Sequence, residues 1–394
     1  MDGQHGRIDN ADVVIAGGGT AGLAAAAGFG TLGLRVVCMD PAPAGDRPDA
    51  DLRTTAILQP GRAVLEQAGL WERLEPEATP LRVMRIVDAR GEPVRRDFDA
   101  GDLGDQPFGW NVPNRVLRRA FTERLAEMPG VTVLRGVGFA GRHALMDEVV
   151  VALTDGQRVA ARLLVGADGR DSAVRESCGI GVRRTRYGQK AVVFAVTHDE
   201  PHGGVSTEVH DRGGPFTLVP LPDRDGRPCS AVVWMTDGME ALRLDDLSEE
   251  EFAAAVNARS AGVMGHLTPV GARQAWPIVT QVAERITARR TALMAEAAHV
   301  VPPIGAQGLN MSLADLRALL DLAAARRGEI GEDAWLDAYA RAREPDIRLR
   351  AFGIDALNRV SIGGLGPLRS LGIRAIHDVA PVRHALMRLG LGLR

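Results

Sequence analysis

The sequence predicts a mixed architecture, part α/β and part α+β, from three observations. Three short apolar runs each end at a loop rich in glycine or charged residues, and the first run opens a strand–helix–strand pattern. Between the second and third runs the pattern changes to short alternating strand candidates, at residues 191–197, 217–220 and 230–236. The chain has 394 residues, 45% of them hydrophobic, which is enough for two or three domains. We therefore expect a Rossmann-like domain, an inserted sheet domain and a helical C-terminal segment.

The first apolar run and the loop after it are typical of a dinucleotide site. Residues 13–16 form a strand pattern, and residues 17–22 (GGGTAG) fit Gly-x-Gly-x-x-Gly, which allows a tight turn and the close approach of a pyrophosphate. The glycines at the pattern positions are Gly17, Gly19 and Gly22. Residues 13–34 carry no charge and are long enough to cross a bilayer, but their seven glycines favour strand, turn and helix.

A second strand candidate, residues 35–39, ends at Asp40. At this place in a βαβ unit a carboxylate is expected to accept hydrogen bonds from a ribose diol. A solvated acid at a strand end is the plainer interpretation. The strand, glycine loop, helix, strand and acid in register favour the dinucleotide role, without distinguishing FAD from NAD(P).

Two further apolar runs end at loops with functional side chains. Residues 162–165 lead into residues 166–172 (GADGRDS), and residues 291–294 lead into residues 295–299 (AEAAH). Ligand sites of α/β proteins form at the carboxyl ends of the strands. We therefore expect all three loops to meet at one edge of one sheet.

Composition excludes several other classes of protein. The formal net charge of −3 gives no global attraction to nucleic acid. The chain has three widely spaced cysteines and no Cys-x-x-Cys pair, so neither a disulfide framework nor a thiolate zinc site is indicated. Residues 1–12 lack the basic and apolar regions of a secretory signal. A cytoplasmic protein is expected, with no nucleic acid as partner.

Four segments follow one another in an order that is found in a known family. They are residues 17–22, 51–53 (DLR), 166–175 (GADGRDSAVR) and 297–310 (AAHVVPPIGAQGLN). In this order they resemble the FAD-dependent aromatic hydroxylases of the p-hydroxybenzoate hydroxylase fold, and the resemblance covers nearly the whole chain.

Shorter segments narrow the resemblance to one group of that family. They are residues 187–191 (YGQKA), 198–202 (HDEPH), 214–216 (GPF) and 220–222 (PLP). These segments resemble the ubiquinone-biosynthesis hydroxylases, which act on polyprenylated phenols.

The resemblance implies an FAD-binding domain interrupted by a substrate domain. The parts of the FAD-binding domain are expected at residues 1–80, 106–180 and 286–350. The parts of the substrate domain, a mainly antiparallel sheet, are expected at residues 81–105 and 181–285. Residues 351–394, with six arginines and two aspartates, are expected to form short basic amphipathic helices, either as a cap or as a surface that meets a membrane or partner enzymes.

Several residues match cofactor-binding positions of the family. The resemblance implies that Arg53 and Arg115 approach the flavin and that Asp168 serves FAD and reduced-nicotinamide binding. The plainer alternatives are a surface role for Arg53 and a helix N-cap at Asn114 beside Arg115. For the second motif, the plainer alternative is a strand-to-helix turn at residues 168–169, with Asp171 and Ser172 as caps of the next helix.

The third motif departs from the family at residues 295–296, where Ala-Glu replaces the usual Gly-Asp. The resemblance implies that Glu296 either reaches the ribityl chain of the flavin or points away from it. The backbone of the following loop is expected to face the isoalloxazine edge at Pro303, Gly308, Leu309 and Asn310. Glu296-x-x-His299 is half of a di-iron motif, but no second half occurs in the chain, so we expect no metal.

An apolar substrate pocket over the flavin is expected in the sheet domain. Its aromatic candidates are Phe194, Phe216, Trp234 and Trp276, of which only Phe216, next to the family-like Gly-Pro, is favoured as a pocket residue. The other aromatic residues are as readily explained as core.

The resemblance implies a monooxygenase in which NAD(P)H or another donor reduces FAD and O₂ forms a C4a-hydroperoxide that hydroxylates the ring of a polyprenylated phenol. No side chain is expected to be a catalytic nucleophile. Candidate partners are other ubiquinone-biosynthesis enzymes and the inner membrane surface, where the protein would be peripheral. Two alternatives stay open: a reductase of the same fold that acts on isoprenoid double bonds, and a non-catalytic scaffold in quinone synthesis.

Overall fold

The computed structural model describes residues 7–43, 53–89, 94–211 and 213–362, together with His384 and Met387; for residues 7–10 and 360–362 only the backbone is described. In chain order the strands are β1 (Arg7–Ala16), β2 (Val36–Asp40), β3 (Thr54–Leu58), β4 (Thr79–Leu81), β5 (Val83–Asp88), β6 (Val94–Asp99), β7 (Gly109–Pro113), β8 (Val131–Arg135), β9 (Phe139–Ala144), β10 (Val149–Leu153), β11 (Arg158–Gly166), β12 (Val182–His198), β13 (Val205–Asp211), β14 (Gly214–Arg224), β15 (Arg227–Asp237), β16 (Leu267–Ala283), β17 (Thr287–Ala288), β18 (Thr291–Leu293) and β19 (His299–Val300). The helices are α1 (Thr20–Thr31), α2 (Gln59–Gln67), α3 (Trp71–Leu74), α4 (Asn114–Ala126), α5 (Ala173–Ser177), α6 (Gly238–Asp246), α7 (Glu249–Arg259), α8 (Gln307–Ala325) and α9 (Asp333–Ile362).

The first sheet has the strand order β17-β18-β11-β1-β2-β8, and its central pairs β18·β11, β11·β1, β1·β2 and β2·β8 are parallel. Val13, Val14 and Ile15 of β1 have no exposed surface, so this central strand is buried on both faces, as is typical of a parallel sheet. The antiparallel strands β9 and β10 extend from β11. The expected Rossmann-like α/β part is confirmed.

Helix α1 lies in the middle of this part of the core rather than in a membrane. Its small side chains allow close packing: a Cβ on Gly28 would lie 2.7 Å from Leu320 of α8, and a Cβ on Gly30 would lie 2.5 Å from Val131 of β8. The uncharged stretch of residues 13–34 is therefore a strand and a helix. Within the described ranges, no helix is long and apolar enough to cross a bilayer.

The second sheet has the strand order β19-β16-β12-β15-β14-β13-β5-β6 and is antiparallel except for β13·β5. Helices α6 and α7 cover one face, where Phe194 packs edge-on against Phe252 at 4.9 Å between ring centroids. On the other face Ala191, Met235 and Ile278 form a small apolar cluster that Ile304 of the third motif contacts. The inserted, mainly antiparallel sheet is confirmed, and its second face is turned toward the third motif.

Two further elements connect the sheets. A small sheet of order β3-β7-β4 is tied to the second sheet because Asn111 Nδ2 donates a hydrogen bond to the Pro220 carbonyl at 2.8 Å. Helix α9 packs on α8 and also reaches the second sheet, where Asn358 Nδ2 donates to Gln189 Oε1 at 3.2 Å. These links hold the second sheet against the edge of the first sheet at which the motifs end.

Candidate active site

The three motifs end at one edge of the first sheet, as the sequence predicts. Strand register aligns Ala16 with Met39 and Gly166, and Gly166 with Leu293. Backbone hydrogen bonds continue past the strand ends: Ala167 N donates to Ala16 O at 2.8 Å, and Met294 N donates to Gly166 O at 2.9 Å. Three loops far apart in sequence are thereby held side by side.

Two glycines of the first loop are required by the protein itself. Gly17 has φ +110°, and a Cβ there would lie 2.3 Å from the Ala167 carbonyl oxygen. A Cβ on Gly22 would lie 1.8 Å from the Gly17 carbonyl oxygen. Both glycines allow backbone segments to meet at distances that no side chain permits.

Gly19 is different, because a Cβ there would meet no atom of the described residues within 4 Å. Gly19 is the N-cap of α1, and no side chain caps that end of the helix. The first N–H groups of α1 therefore face open space, which suits a phosphate group. The structure gives Gly19 no packing reason to be glycine.

Asp40 ends β2 and is 4% exposed. Its Oδ1 accepts a hydrogen bond from Ala42 N at 3.0 Å, and its Oδ2 accepts one from Arg135 Nη1 at 3.1 Å. Two carboxylate oxygens offer about four acceptor sites, so capacity remains for the hydroxyl groups of a ribose. Arg135, which the sequence did not indicate, balances the charge of Asp40.

Asp168 caps helix α5 from within its own loop. Its Oδ1 accepts from the Ser172 hydroxyl and its Oδ2 accepts from Val174 N at 3.0 Å, while Ser172 Oγ accepts from Arg175 N at 2.9 Å. The plainer alternative, a strand-to-helix turn with a capped helix, therefore describes the contacts that Asp168 and Ser172 make in this structure. Asp171 is not part of the cap; it pairs with Arg184 at 2.9 Å. A cofactor role for Asp168 stays a prediction.

Arg175 joins the second and third loops. Its Nη1 donates to the Arg170 carbonyl at 3.0 Å and to the Ala297 carbonyl at 3.1 Å. Its side chain is nearly buried, with the residue 3% exposed. The relative position of the two loops is thus fixed by one buried guanidinium.

Glu296 lies at the exposed side of the third loop, with 53% of its side chain exposed and Arg170 Nε 3.4 Å from its Oε2. The residue before it, Ala295, has φ +55°, the left-handed conformation that glycine adopts without strain. Alanine thus adopts here a backbone conformation that favours glycine, while the acid after it pairs with the neighbouring loop.

Helix α8 begins directly after a left-handed residue, Ala306, with φ +56° and no side-chain cap. A Cβ on Gly308 would meet no protein atom within 4 Å. As at Gly19, the described residues leave space in front of the first turn of the helix, whose N–H groups are not used within the helix itself. With α1, two helices in the described part of the site therefore begin without a side-chain cap.

The side chain of Asn310 is not available to a cofactor. Its Oδ1 accepts from Leu58 N at 2.9 Å, and its Nδ2 donates to the carbonyls of Ala56 and Ala306, each at 2.7 Å. Asn310 thus fastens β3 to the start of α8. A cofactor contact at this position would use the backbone.

A buried ionic cluster lies beneath the third loop, and the sequence did not indicate it. Asp315 of α8 has no exposed surface; its Oδ2 lies 2.6 Å from His299 Nε2 and accepts from Ala295 N at 3.1 Å, and its Oδ1 accepts from Arg343 Nε at 2.8 Å. Burial alone would raise the pKa of Asp315, but the positive charges and hydrogen bonds of His299 and Arg343 hold that pKa below its ordinary value. A single acid in the apolar face of a helix was the available signal. His299 is thus packed in the core, and no cluster of metal-ligating side chains occurs among the residues described.

The two predicted arginines lie at the rim of the site. Arg53 is exposed, and its guanidinium carbon lies 4.8 Å from the ring centroid of Trp276 on the second sheet. Arg115 is exposed on the first turn of α4. Their contact with FAD stays a prediction. Trp276 pairs with Ala191 in the strand register, so it is on the face of the sheet that Ile304 contacts.

Phe216 is not where the pocket prediction put it. It has no exposed surface and packs against Trp234 at 5.6 Å between ring centroids, in the core under α6 and α7. Alternation along β14 places Phe216 on the face opposite Ile304. Of the four aromatic candidates, Trp276 is the one on the cofactor side, and 39% of it is exposed.

The chain matches known flavoproteins over most of its length. Residues 10–349 match the family model described as "FAD binding domain". The chain belongs to this FAD-binding family. It is 36% identical to the "Ubiquinone hydroxylase UbiL" of Rhodospirillum rubrum, over 97% of this chain and 90% of that protein. It is 28% identical to the "3-demethoxyubiquinol 3-hydroxylase" of Escherichia coli, over 97% of this chain and 98% of that protein.

Solved structures agree on the fold of the family. The p-nitrophenol 4-monooxygenase PnpA of Pseudomonas putida superposes with a TM-score of 0.81, covering 98% of this chain and 99% of that chain at 20% identity. The predicted resemblance to the ubiquinone-biosynthesis hydroxylases is confirmed, and the chain is an FAD-dependent monooxygenase of their family.

The site has the donors and the space that FAD requires. Two uncapped helix starts, at Gly19 and at Gly308, open onto space that a Cβ would fill, and Asp40 keeps free acceptor capacity beside the first of them. Backbone N–H groups at a helix start are suited to a pyrophosphate and to the polar edge of a flavin ring. The residues present therefore fit the cofactor of the family.

Proposed function

We propose that this protein hydroxylates the aromatic ring of a polyprenylated phenol in ubiquinone biosynthesis. The observation that carries the proposal is the 36% identity to the ubiquinone hydroxylase of Rhodospirillum rubrum over nearly the full length of both chains. The name of the Escherichia coli relative, a demethoxyubiquinol hydroxylase, supports the same substrate class. The ring position and the prenyl length are not part of the proposal.

In this proposal FAD is held between the two helix starts. The loop of Gly17, Gly19 and Gly22 receives the pyrophosphate, and Asp40 receives the ribose. The polar edge of the flavin ring meets the backbone from Pro303 to Leu309 and Asn310. Arg53, Arg115 and Asp168 complete the contacts, with Glu296 at the exposed side.

When bound, FAD supplies the redox chemistry by which electrons from NAD(P)H or another donor and one atom of O₂ serve the hydroxylation. The side chains of the protein hold the ring in place and exclude water. Ala191, Met235 and Ile278 form the apolar surface next to Ile304, and Trp276 borders it. None of these groups can act as a nucleophile, which agrees with a reaction carried by the cofactor.

Tyr187 borders the same cluster but is not a general base. Burial, and then the hydrogen bond and charge of Asp355, raise the pKa of Tyr187 to about 12. Its hydroxyl also lies 2.6 Å from Thr280 Oγ1. Tyr187 therefore stays protonated at neutral pH and serves to join α9 to the second sheet.

No structural observation favours the two alternatives. The scaffold hypothesis rests on the Ala-Glu sequence at residues 295–296. Ala295 takes the left-handed conformation and its N–H donates a hydrogen bond to Asp315, so the loop accommodates alanine at this position, which removes the reason for the scaffold hypothesis. Nothing described points specifically to reduction of isoprenoid double bonds.

The length of the prenyl tail should control substrate affinity. Burial of a CH₂ group stabilises binding by about 0.8 kcal/mol, so one five-carbon isoprene unit that is half buried adds about 2 kcal/mol, more than tenfold in affinity. We expect affinity to rise with each added unit when phenols with short tails of increasing length are titrated in solution without detergent or lipid, because each tail is then transferred from water into the protein. Equal affinity for short-tailed and long-tailed phenols would contradict the substrate class.

A further inference from the structure

Helix α9 reaches the start of α8 through one arginine. Arg350 Nη1 donates to Gln307 Oε1 at 2.8 Å, and Arg350 Nε donates to Asp346 Oδ1 at 3.0 Å. Gln307 is the first residue of α8, and its Nε2 donates to the Gly305 carbonyl at 2.9 Å. A chain of hydrogen bonds thus runs from α9 to the turn before α8.

That turn has an unusual backbone. Gly305 and the next residue, Ala306, have φ values of +62° and +56°, so two successive residues are left-handed. For alanine this conformation is strained, and it persists only where the surroundings impose it. The Gln307 side chain, which accepts a hydrogen bond from Arg350, spans the turn and holds the Gly305 carbonyl in place. The direction of the first N–H groups of α8 depends on this turn.

Arg350 is also linked to the buried ionic cluster, through Asp346. Asp346 Oδ2 accepts from Arg343 Nη1 at 2.8 Å, and Arg343 Nε donates to Asp315, which binds Ala295 N. The polar chain therefore begins at one end of the third motif, Ala295, and returns at the other end, Gln307. Helix α9 holds both ends of the segment that faces the cofactor.

We propose that Arg350 is a positioning residue for FAD: through Gln307 it fixes the turn at Gly305 and Ala306 and so aims the start of α8 at the flavin. The inference rests on the proposed function only in taking FAD as the group at this site. It adds a residue outside the sequence motifs, on a helix that does not border the glycine loop.

Helix α9 itself offers a matched control. Arg348 also pairs with the residue four positions before it, Glu344, at 2.9 Å, but its side chain is 62% exposed and, within the described part of the chain, it makes no hydrogen bond to α8. Arg348→Met and Arg350→Met therefore remove equivalent pairs within the helix. Only Arg350→Met also removes the bond to Gln307.

The test compares Arg350→Met, Gln307→Leu, their double variant and Arg348→Met in the full chain. We expect Arg350→Met and Gln307→Leu each to weaken FAD binding by the apoprotein about tenfold and to shift the visible absorption band of bound flavin in the same way. The double variant should lose no more affinity than one single variant, because both substitutions break the same chain. Arg348→Met should match the unsubstituted protein in both measurements.

Unaltered FAD affinity and spectrum in Arg350→Met would overturn the inference, and so would additive losses in the double variant. If Arg350→Met folds poorly, Gln307→Leu alone decides, since an unaltered spectrum there contradicts the same chain. A protein that binds FAD but oxygenates no phenol would refute the proposed function and leave this test valid.

Discussion

Replacing Asp315 with asparagine should destabilise the protein by about 3–5 kcal/mol, because the guanidinium of Arg343 would then lie in the core without a counter-charge. Asp315 has no exposed surface and Arg343 is 6% exposed, so water cannot replace the lost carboxylate. The variant also replaces the carboxylate that accepts the hydrogen bond of Ala295 N, in the third loop, with an uncharged amide. We expect a lower midpoint of denaturant unfolding and weaker retention of FAD.

Asp321→Asn is the matched control on the same helix. Asp321 pairs with Arg317 at 3.7 Å, and their side chains are 60% and 56% exposed. Surface pairs of this kind contribute little, so the control should change stability by no more than about 0.5 kcal/mol. Equal unfolding midpoints for the two variants would mean that Asp315 does not balance the buried charges.

The pH dependence of protein stability provides a second test of the same cluster. The pKa of Asp315 is lower in the folded protein than in the unfolded chain. The carboxylate therefore contributes to the free energy of unfolding at neutral pH, and this contribution is lost as the pH falls below about 4. The stability difference between the unsubstituted protein and Asp315→Asn should therefore shrink on acidification. A difference that grows toward low pH would contradict the direction of the pKa shift.

Gly22→Ala and Gly19→Ala should separate two kinds of glycine in one motif. A Cβ on Gly22 would lie 1.8 Å from the backbone oxygen of Gly17, so the start of α1 must move, at a cost of about 3 kcal/mol or more. A Cβ on Gly19 meets no protein atom within 4 Å but occupies the space in front of the helix. We expect Gly22→Ala to lose both stability and FAD binding, and Gly19→Ala to lose at least tenfold in FAD affinity, about 1.4 kcal/mol, with unaltered stability.

The measurements are denaturant unfolding of each apoprotein and titration with FAD. Gly141→Ala serves as a reference, since a Cβ there also meets no described protein atom within 4 Å and Gly141 belongs to none of the three loops. Full FAD affinity in Gly19→Ala would show that the pyrophosphate does not lie at the start of α1.

The meeting of the three loops could be predicted because strands, glycine turns and strand-end acids are local patterns, and parallel strands bring their carboxyl ends to one edge. Asp40 and residues 17–22 were found in this way. The ionic cluster could not be predicted as a cluster: Asp315 stands out as an acid in the apolar face of a helix, but nothing in the sequence pairs it with Arg343, which is distant in sequence. Fold-level packing alone brings them together.

Phe216 shows a different limit. Residues 214–221 of β14 are apolar on both faces, so the two-residue period separates the faces without telling which one the helices cover. The covering helices α6 and α7 come later in the chain, and their contacts decide that Phe216 is core. Trp276 lies on the opposite face of the second sheet, which α6 and α7 do not cover, because it pairs with Ala191 in the strand register.

The most direct test of the account is the source of the new oxygen atom. The purified protein, loaded with FAD and supplied with NAD(P)H and a long-tailed polyprenyl phenol in vesicles, is allowed to react under ¹⁸O₂, and the product is examined by mass spectrometry. We expect one ¹⁸O atom in a new ring hydroxyl group, with NAD(P)H oxidation stimulated by the phenol. A product without ¹⁸O, or one reduced at a prenyl double bond, would contradict the assignment as an aromatic hydroxylase.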